Sequence, residues 1–284
     1  MSFISRGYRR LGSDILTDGD LRSIAPSIFA ADKHESRSAR YAYIPTAEIV
    51  DGMRANGFLP VYAKQGRSRI EGKEAFTKHL VRFRHQGEDS ATRKMGGVYP
   101  EVVVVNSHDG TSAYKVMAGL MRLVCLNGLM VSDKELASVT VPHKGDVMHQ
   151  VIEGSFTVLS ESRSAIEMAV TWQGITLGRD EQMIMAEAAH LIRFGDSDGE
   201  TSTVIEPEQL LQTRRMADDG ADLWRVSNRI QENVIRGGLT AMGRDAEGRP
   251  RRATTREVKS IDADVKINRA LWLLTERMAE LKAA

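Results

Sequence analysis

The chain has 284 residues, 42% of them hydrophobic and 27% charged, with a formal net charge of +1. That length supports a sizeable core, and the composition is that of an ordinary globular protein. A balance so near neutrality carries no global message about partners, and no apolar run approaches the roughly 20 residues needed to span a bilayer.

The single cysteine, Cys125, lies in the apolar run Leu123-Val124-Cys125-Leu126 and reads as a small buried hydrophobe. It allows no disulfide within one copy. The basic N-terminus lacks the apolar block of a signal peptide, so a cytoplasmic location is expected.

Residues 1–40 are polar and rich in Ser and Arg, with Pro26-Ser27-Ile28-Phe29 as apolar anchor. They are expected to form a partly mobile arm, and 41–284 a single α+β domain. A helix is predicted after Pro45, with Thr46 as cap, an apolar stripe of Ile49, Val50 and Met53, and a stop at Asn56-Gly57. Strand patterns then occupy 58–131. In His79–His85, Val81 and Phe83 share one face and Arg82 and Arg84 the other. Val102 to Val105 is a β-branched run suited to the centre of a sheet. The segment from Asn106 to Thr111 has turn chemistry, and Asn127-Gly128 makes a second turn. A helix over 115–126 competes with a strand there, and the turns on both sides favour the strand. The region reads as an antiparallel meander preceded by a helix.

From 145 to 284 the period is helical. A long helix, continuous or broken, carries His149, Ile152, Phe156, Leu159, Ile166 and Val170, and a second runs from Asp180, as cap, to about Arg193. Pro207 opens a further helix. Asp222 to Arg236 carries Leu223, Val226, Ile230 and Val234 on one stripe and ends at Gly237-Gly238. A flexible basic loop is expected over 237–258, and a last amphipathic helix over 261–281. The helices are expected to cover the meander.

Charge is segregated along the chain. Basic residues from Lys64 through Arg67, Arg69, Arg82 and Arg84 to Lys94 outnumber acids, and acids dominate from Glu161 to Asp222. The densest basic stretch is Gly248 to Arg256, holding Arg249, Arg251, Arg252 and Arg256 with Thr254 and Thr255, followed by Lys259. Guanidinium forks and hydroxyls both donate to phosphate oxygens. The helix before this stretch adds Arg229 and Arg236 among amide side chains. If the sheet arginines and the late loop lie together, they line a groove of the kind that holds a single strand, with Tyr62, Tyr99, Tyr114 and Trp224 available for stacking.

Signatures of catalysis are not found. None of the seven histidines pairs at helical spacing with an intervening acid. Nucleotide-binding glycine loops and nucleophile elbows are also missing. His108-Asp109 sits in a stretch whose composition turn formation explains, and an enzyme assembled from scattered residues such as His108, Asp109 and Glu232 is the weakest reading. No metal or cofactor is expected.

Four ordered segments carry a family resemblance. They are Asn106-Ser107-His108-Asp109-Gly110 with Ala113-Tyr114; Arg122-Leu123-Val124-Cys125 before Asn127-Gly128-Leu129; the run from Leu223 to Gly238; and Thr255 to Asp262 with Asn268-Arg269-Ala270-Leu271-Trp272. Together they make the chain, from about Pro26 onward, resemble the phage- and plasmid-associated family catalogued as domain of unknown function 932. That resemblance implies a mobile-element context and supplies no catalytic residues. The helix, meander and covering helices are also similar in outline to single-strand annealing proteins, a likeness that implies ring or filament homo-oligomers. The expectation is a non-enzymatic protein binding single-stranded DNA in recombination, replication or transfer. A module docking on a host defence or regulatory protein, through its acidic stretch or its basic loop, is the alternative.

Overall fold

The fold is that of a computed structural model, in which residues 15–30, 44–67, 74–88, 98–109, 112–122, 128–131, 138–195, 205–244 and 249–283 are described. The chain divides into two compact units, Met1–Ile166 and Glu167–Ala284, where the sequence reading runs one domain from residue 41. Arg69 and Cys125 lie outside the described residues, as do parts of the N-terminal arm.

The described part of that arm is docked. Thr17 caps α1 (Asp18–Ile24) in a reciprocal box with Asp20, as expected of Thr with an acid three residues on. A 3-10 turn follows over Pro26–Phe29. Leu21, Ala25 and Ile28 are removed from water, and the Leu16 N–H donates to the Pro60 carbonyl. Burial of these apolar side chains holds the arm in place.

Helix α2 (Thr46–Ala55) buries Ile49, Val50 and Met53 as their spacing predicts, and stops at Gly57, whose φ of 82° suits glycine. Thr46 is not its cap. Pro45 occupies that position without a side-chain bond, and the Thr46 hydroxyl turns inward.

The main sheet is antiparallel: β1 (Phe58–Gln65), β2 (His79–His85), β3 (Val98–Asn106), β4 (Tyr114–Arg122) and β5 (Gly128–Val131) follow one another in order. The sixth strand, β6 (Ser138–Val141), shares β4 with β5, pairing Tyr114–Met117 while β5 pairs Ala118–Met121. Pro60 lacks an N–H and sits in edge strand β1, where the register shifts before Tyr62. Every residue of β3 is buried, which its run of valines anticipates. The stretch after Ala113 is a strand, as its bounding turns indicate.

A single unbroken helix, α3 (Val147–Trp172), follows. Within the first unit it approaches α2 and β6 through glycines. A side chain at Gly52 would stand 3.1 Å from the Met148 sulfur, and one at Gly154 would stand 3.1 Å from Val139. The antiparallel meander followed by helices makes the fold α+β.

The second unit holds the end of α3, α4 (Arg179–Phe194), α5 (Leu223–Arg236), the strands β7 (Thr240–Arg244) and β8 (Pro250–Thr254), and α6 (Ile261–Ala283). Its core gathers all three tryptophans, with Trp172 4.6 Å from Trp272 and 6.2 Å from Trp224 between ring centres. Asp222 caps α5 by accepting from the Arg225 N–H at 3.0 Å. The cap of helix α4 lies two residues ahead of the expected Asp180. It is Gly178, whose N–H donates to the Glu181 carboxylate at 2.6 Å. Pro207 opens only a short 3-10 turn, Pro207–Leu211.

Candidate nucleic-acid interface

Within the stretch expected as a flexible loop over 237–258, the described residues form a two-stranded antiparallel ribbon. Strands β7 and β8 pair from Thr240 opposite Thr254 to Arg244 opposite Pro250. Two glycines build its base. Gly237 has φ 65° and Gly238 φ 81°, and a Cβ on Gly237 would lie 2.6 Å from the Arg256 carbonyl carbon. Only glycine fits there. The turn lets the Gly238 N–H donate to the Thr255 carbonyl and the Thr255 N–H to the Leu239 carbonyl, both at 2.8 Å. β-Branched Thr254 and Thr255 favour the extended chain, so the segment is paired backbone and not a floppy tether.

The cations of this segment differ in their surroundings. Arg252, Arg256 and Lys259 are exposed and form no ion pair among the described residues. Arg249 is exposed at the start of β8 and has an interaction of its own. Arg251 stands opposite Gly243 in the register. Beside Arg252 on alternate positions is Thr254, whose hydroxyl lies 3.1 Å from that of Thr240. One ribbon face therefore combines a guanidinium with two hydroxyls.

Two half-buried arginines flank the base. Arg214 donates to the Asn233 side-chain oxygen and the Gly237 carbonyl, and Arg193 donates to the Arg256 carbonyl at 3.3 Å. Burial, the largest cause for each, holds both guanidiniums below their ordinary pKa. The Arg214 guanidinium reaches the C-terminal end of α5, where unsatisfied carbonyls attract cations, and Arg193 projects from the last turn of α4, so both brace the ribbon. Arg236 is a partner of Glu232 at 2.9 Å, which also holds Arg215 at 2.6 Å. Burial would raise the Glu232 carboxyl, but hydrogen bonds from Arg215 and Arg236 outweigh it and keep the group below the usual carboxylate range.

The sheet arginines are a correction to the sequence reading. Alternation does place Arg82 and Arg84 on one face, yet they are interior ion-pair residues. Arg82 Nε lies 3.0 Å and Arg84 Nη2 2.9 Å from the two oxygens of Glu101, itself 1% exposed. Their guanidiniums stack 4.3 Å from the Tyr62 ring and 4.4 Å from the Tyr99 ring. Pairing of Phe83 with Val102 brings the adjacent Glu101 beside both. Arg229 is likewise buried, donating to Gln182 at 3.3 Å and Thr213 at 3.4 Å. Burial lowers its pKa, against the attraction of Asp219, Asp218 and Asp222. These three arginines serve the interior. Lys64 is half-buried with a partner, and Arg67 is exposed after β1. The aromatics nominated for stacking are committed too: Tyr99, Tyr114 and Trp224 are buried, and Tyr62 lies under Arg82.

A second polar cluster was missed from sequence. Thr46 Oγ1 accepts from Asn106 Nδ2 at 3.1 Å and lies 2.9 Å from His79 Nε2 and 3.1 Å from His108 Nε2. Ser27 Oγ contacts His79 Nδ1 at 2.9 Å, and Tyr114 donates to the Ile44 carbonyl at 3.0 Å. The cluster ties the arm and α2 to strands β2, β3 and β4. Burial pushes the His79 pKa down to about 4 and, with neighbouring His79 and His143, that of His108 to about 3. Both imidazoles are neutral at pH 7. Asn106 in a turn motif and Thr46 at a helix start were each explained locally, which hid their meeting. Among the described residues, no three His, Cys, Asp or Glu side chains converge as metal ligands. No helix among those residues is long and apolar enough to cross a membrane.

Comparison with known proteins gives kinship and no chemistry. A family model described as "Domain of unknown function (DUF932)" matches residues 33–272. The UPF0380 protein YafZ of Escherichia coli K12 is 44% identical over 263 residues, covering 93% of this chain and 91% of that protein. The UPF0380 protein YfjQ of the same organism is 43% identical over the same shares. No solved structure matches the chain significantly.

Proposed function

For this chain, which belongs to the DUF932 family, we propose a role in binding nucleic acid, single-stranded or duplex DNA, through the phosphate backbone. The observation that carries the reading is the ribbon face of Arg252, Thr254 and Thr240, continued by Arg256 and Lys259, whose exposed cations are not neutralised within the described protein. Cations held on a paired backbone lose little freedom on binding, so their attraction to phosphate is not spent on ordering a loop. Arg193 and Arg214 support this by fixing the ribbon's base. Arg82, Arg84 and Arg229 have no part in it.

Phosphate contacts release counterions, so affinity must fall steeply with salt. The test is binding of a labelled oligonucleotide by the full chain at a series of salt concentrations, for the wild type and for Arg252→Glu, Arg256→Glu and Lys259→Glu combined. The reading expects salt-sensitive binding that the triple variant loses while its unfolding transition stays in place. Absence of binding at low salt sinks it.

A further inference from the structure

We infer that the β7–β8 ribbon is built to lie in the major groove of duplex DNA, so that double-stranded DNA is the preferred ligand. The inference rests on the nucleic-acid reading above and narrows it.

The ribbon's freedom is the first ground. β7 and β8 form a sheet of their own and pair only with each other among the described strands. Where its side chains are described, Arg252 and Thr254 are exposed and Thr240, Ala241 and Ala253 are partly exposed, so the Arg252 face is open to a ligand.

Dimensions supply the second ground. Paired strands lie about 4.8 Å apart and, with short side chains, fill a width on the order of 10 Å. The major groove is about 12 Å wide and admits such a ribbon, whereas the minor groove, about 6 Å wide, does not. The Ala241–Ala253 pair keeps the ribbon slim next to its central Met242–Arg252 pair. Arg252 and the Thr240 and Thr254 hydroxyls lie on one face of the ribbon, which presents donors to phosphate oxygens and base edges in that groove.

The third ground is the chemistry that a single strand needs and the ribbon lacks. Single-strand sites combine a positive track with aromatic rings on which bases stack. Residues 237–260 contain no aromatic side chain, and of the aromatics nominated from the sequence Tyr99, Tyr114 and Trp224 are buried and Tyr62 is covered by Arg82. The carboxylates of the segment, Asp245, Glu247 and Glu257, fall outside β8, which contains no acid.

The deciding experiment titrates the full chain against a short labelled duplex and against one strand of the same sequence, by fluorescence anisotropy at one salt concentration. Binding of the duplex at least about tenfold more tightly is expected. Methyl green, which occupies the major groove, should compete, and netropsin, which occupies the minor groove, should not. Ala253→Trp should lose the duplex preference, because the bulk widens the ribbon. If that variant fails to fold, Arg252→Ala should weaken duplex binding more than single-strand binding. Equal or tighter binding of the single strand, or displacement by netropsin, overturns the inference and leaves the nucleic-acid reading standing. Failure to bind either form overturns both.

Discussion

Arg84 on β2 donates to Glu101 on β3 at 2.9 Å, and the carboxylate's other oxygen holds Arg82 at 3.0 Å. One buried acid thus converts two arginines of an apparently basic strand into part of the sheet's interior. Removing one partner of a buried pair strands the other, at about 3–5 kcal/mol.

Glu101→Gln should therefore destabilise the first unit by about 3 kcal/mol. Amide exchange in β2 and β3 is the local probe, and faster exchange there is expected. Binding through the ribbon should be unchanged under conditions where the variant is folded. Unaltered exchange would show that Glu101 is dispensable.

Acid should loosen the same unit. His79 and His108 fold as neutral rings with pKa values of about 4 and about 3, against 6.5 for the free side chain. Between those limits the unfolded chain binds more protons, so stability is fully present above about 6.5 and is lost as pH falls. Each histidine contributes roughly 2 kcal/mol of loss by pH 5. Geometry agrees: two protonated rings and Asn106 would aim three N–H groups at Thr46, whose oxygen offers two lone pairs. Urea midpoints at pH 7 and pH 5 measure this for the wild type and for His79→Asn. The wild type should show the larger drop.

The base of the ribbon makes a steric prediction. Gly237→Ala places a Cβ 2.6 Å from the Arg256 backbone at φ 65°, a clash that backbone cannot relieve cheaply. A loss of at least about 2 kcal/mol is expected, since left-handed strain and overpacking each cost about 1–3 kcal/mol. The three tryptophans all lie in the second unit, so their fluorescence follows its unfolding. Nucleic-acid affinity should fall as well, although no charge has changed.

Much of this architecture is written locally. The stripe Leu223, Val226, Ile230 and Val234, the cap at Asp222, the alternation in His79–His85 and the valine run of β3 each declare an element through neighbours a few residues away. What failed depends on pairing between distant segments. Glu101 reaches Arg82 and Arg84 only once the β2–β3 register is known, and the basic strand face inferred from alternation disappears with it. Thr46 looked like a cap because Ser and Thr favour that place, but a buried hydroxyl serves four polar neighbours better than one free N–H. Glycine, proline and arginine dominate the segment from Gly237 to Thr255 and give it the composition of a loop. Its strand character lies in the cross-strand match of Thr240 with Thr254 and Ala241 with Ala253. The cap of α4 falls two residues before Asp180, at a glycine that offers no side chain to recognise.

The proposal is that the exposed cations Arg252, Arg256 and Lys259, which form no ion pair among the described residues, bind phosphate. Its most direct test is the salt dependence of duplex binding by the wild type and by Arg252→Ala. For duplex DNA, log affinity falls against log salt with a slope of about 0.9 per phosphate neutralised. The account predicts a steep wild-type slope that becomes shallower by about one unit in the variant. A wild-type slope near zero, or one that the substitution leaves unchanged, would contradict it.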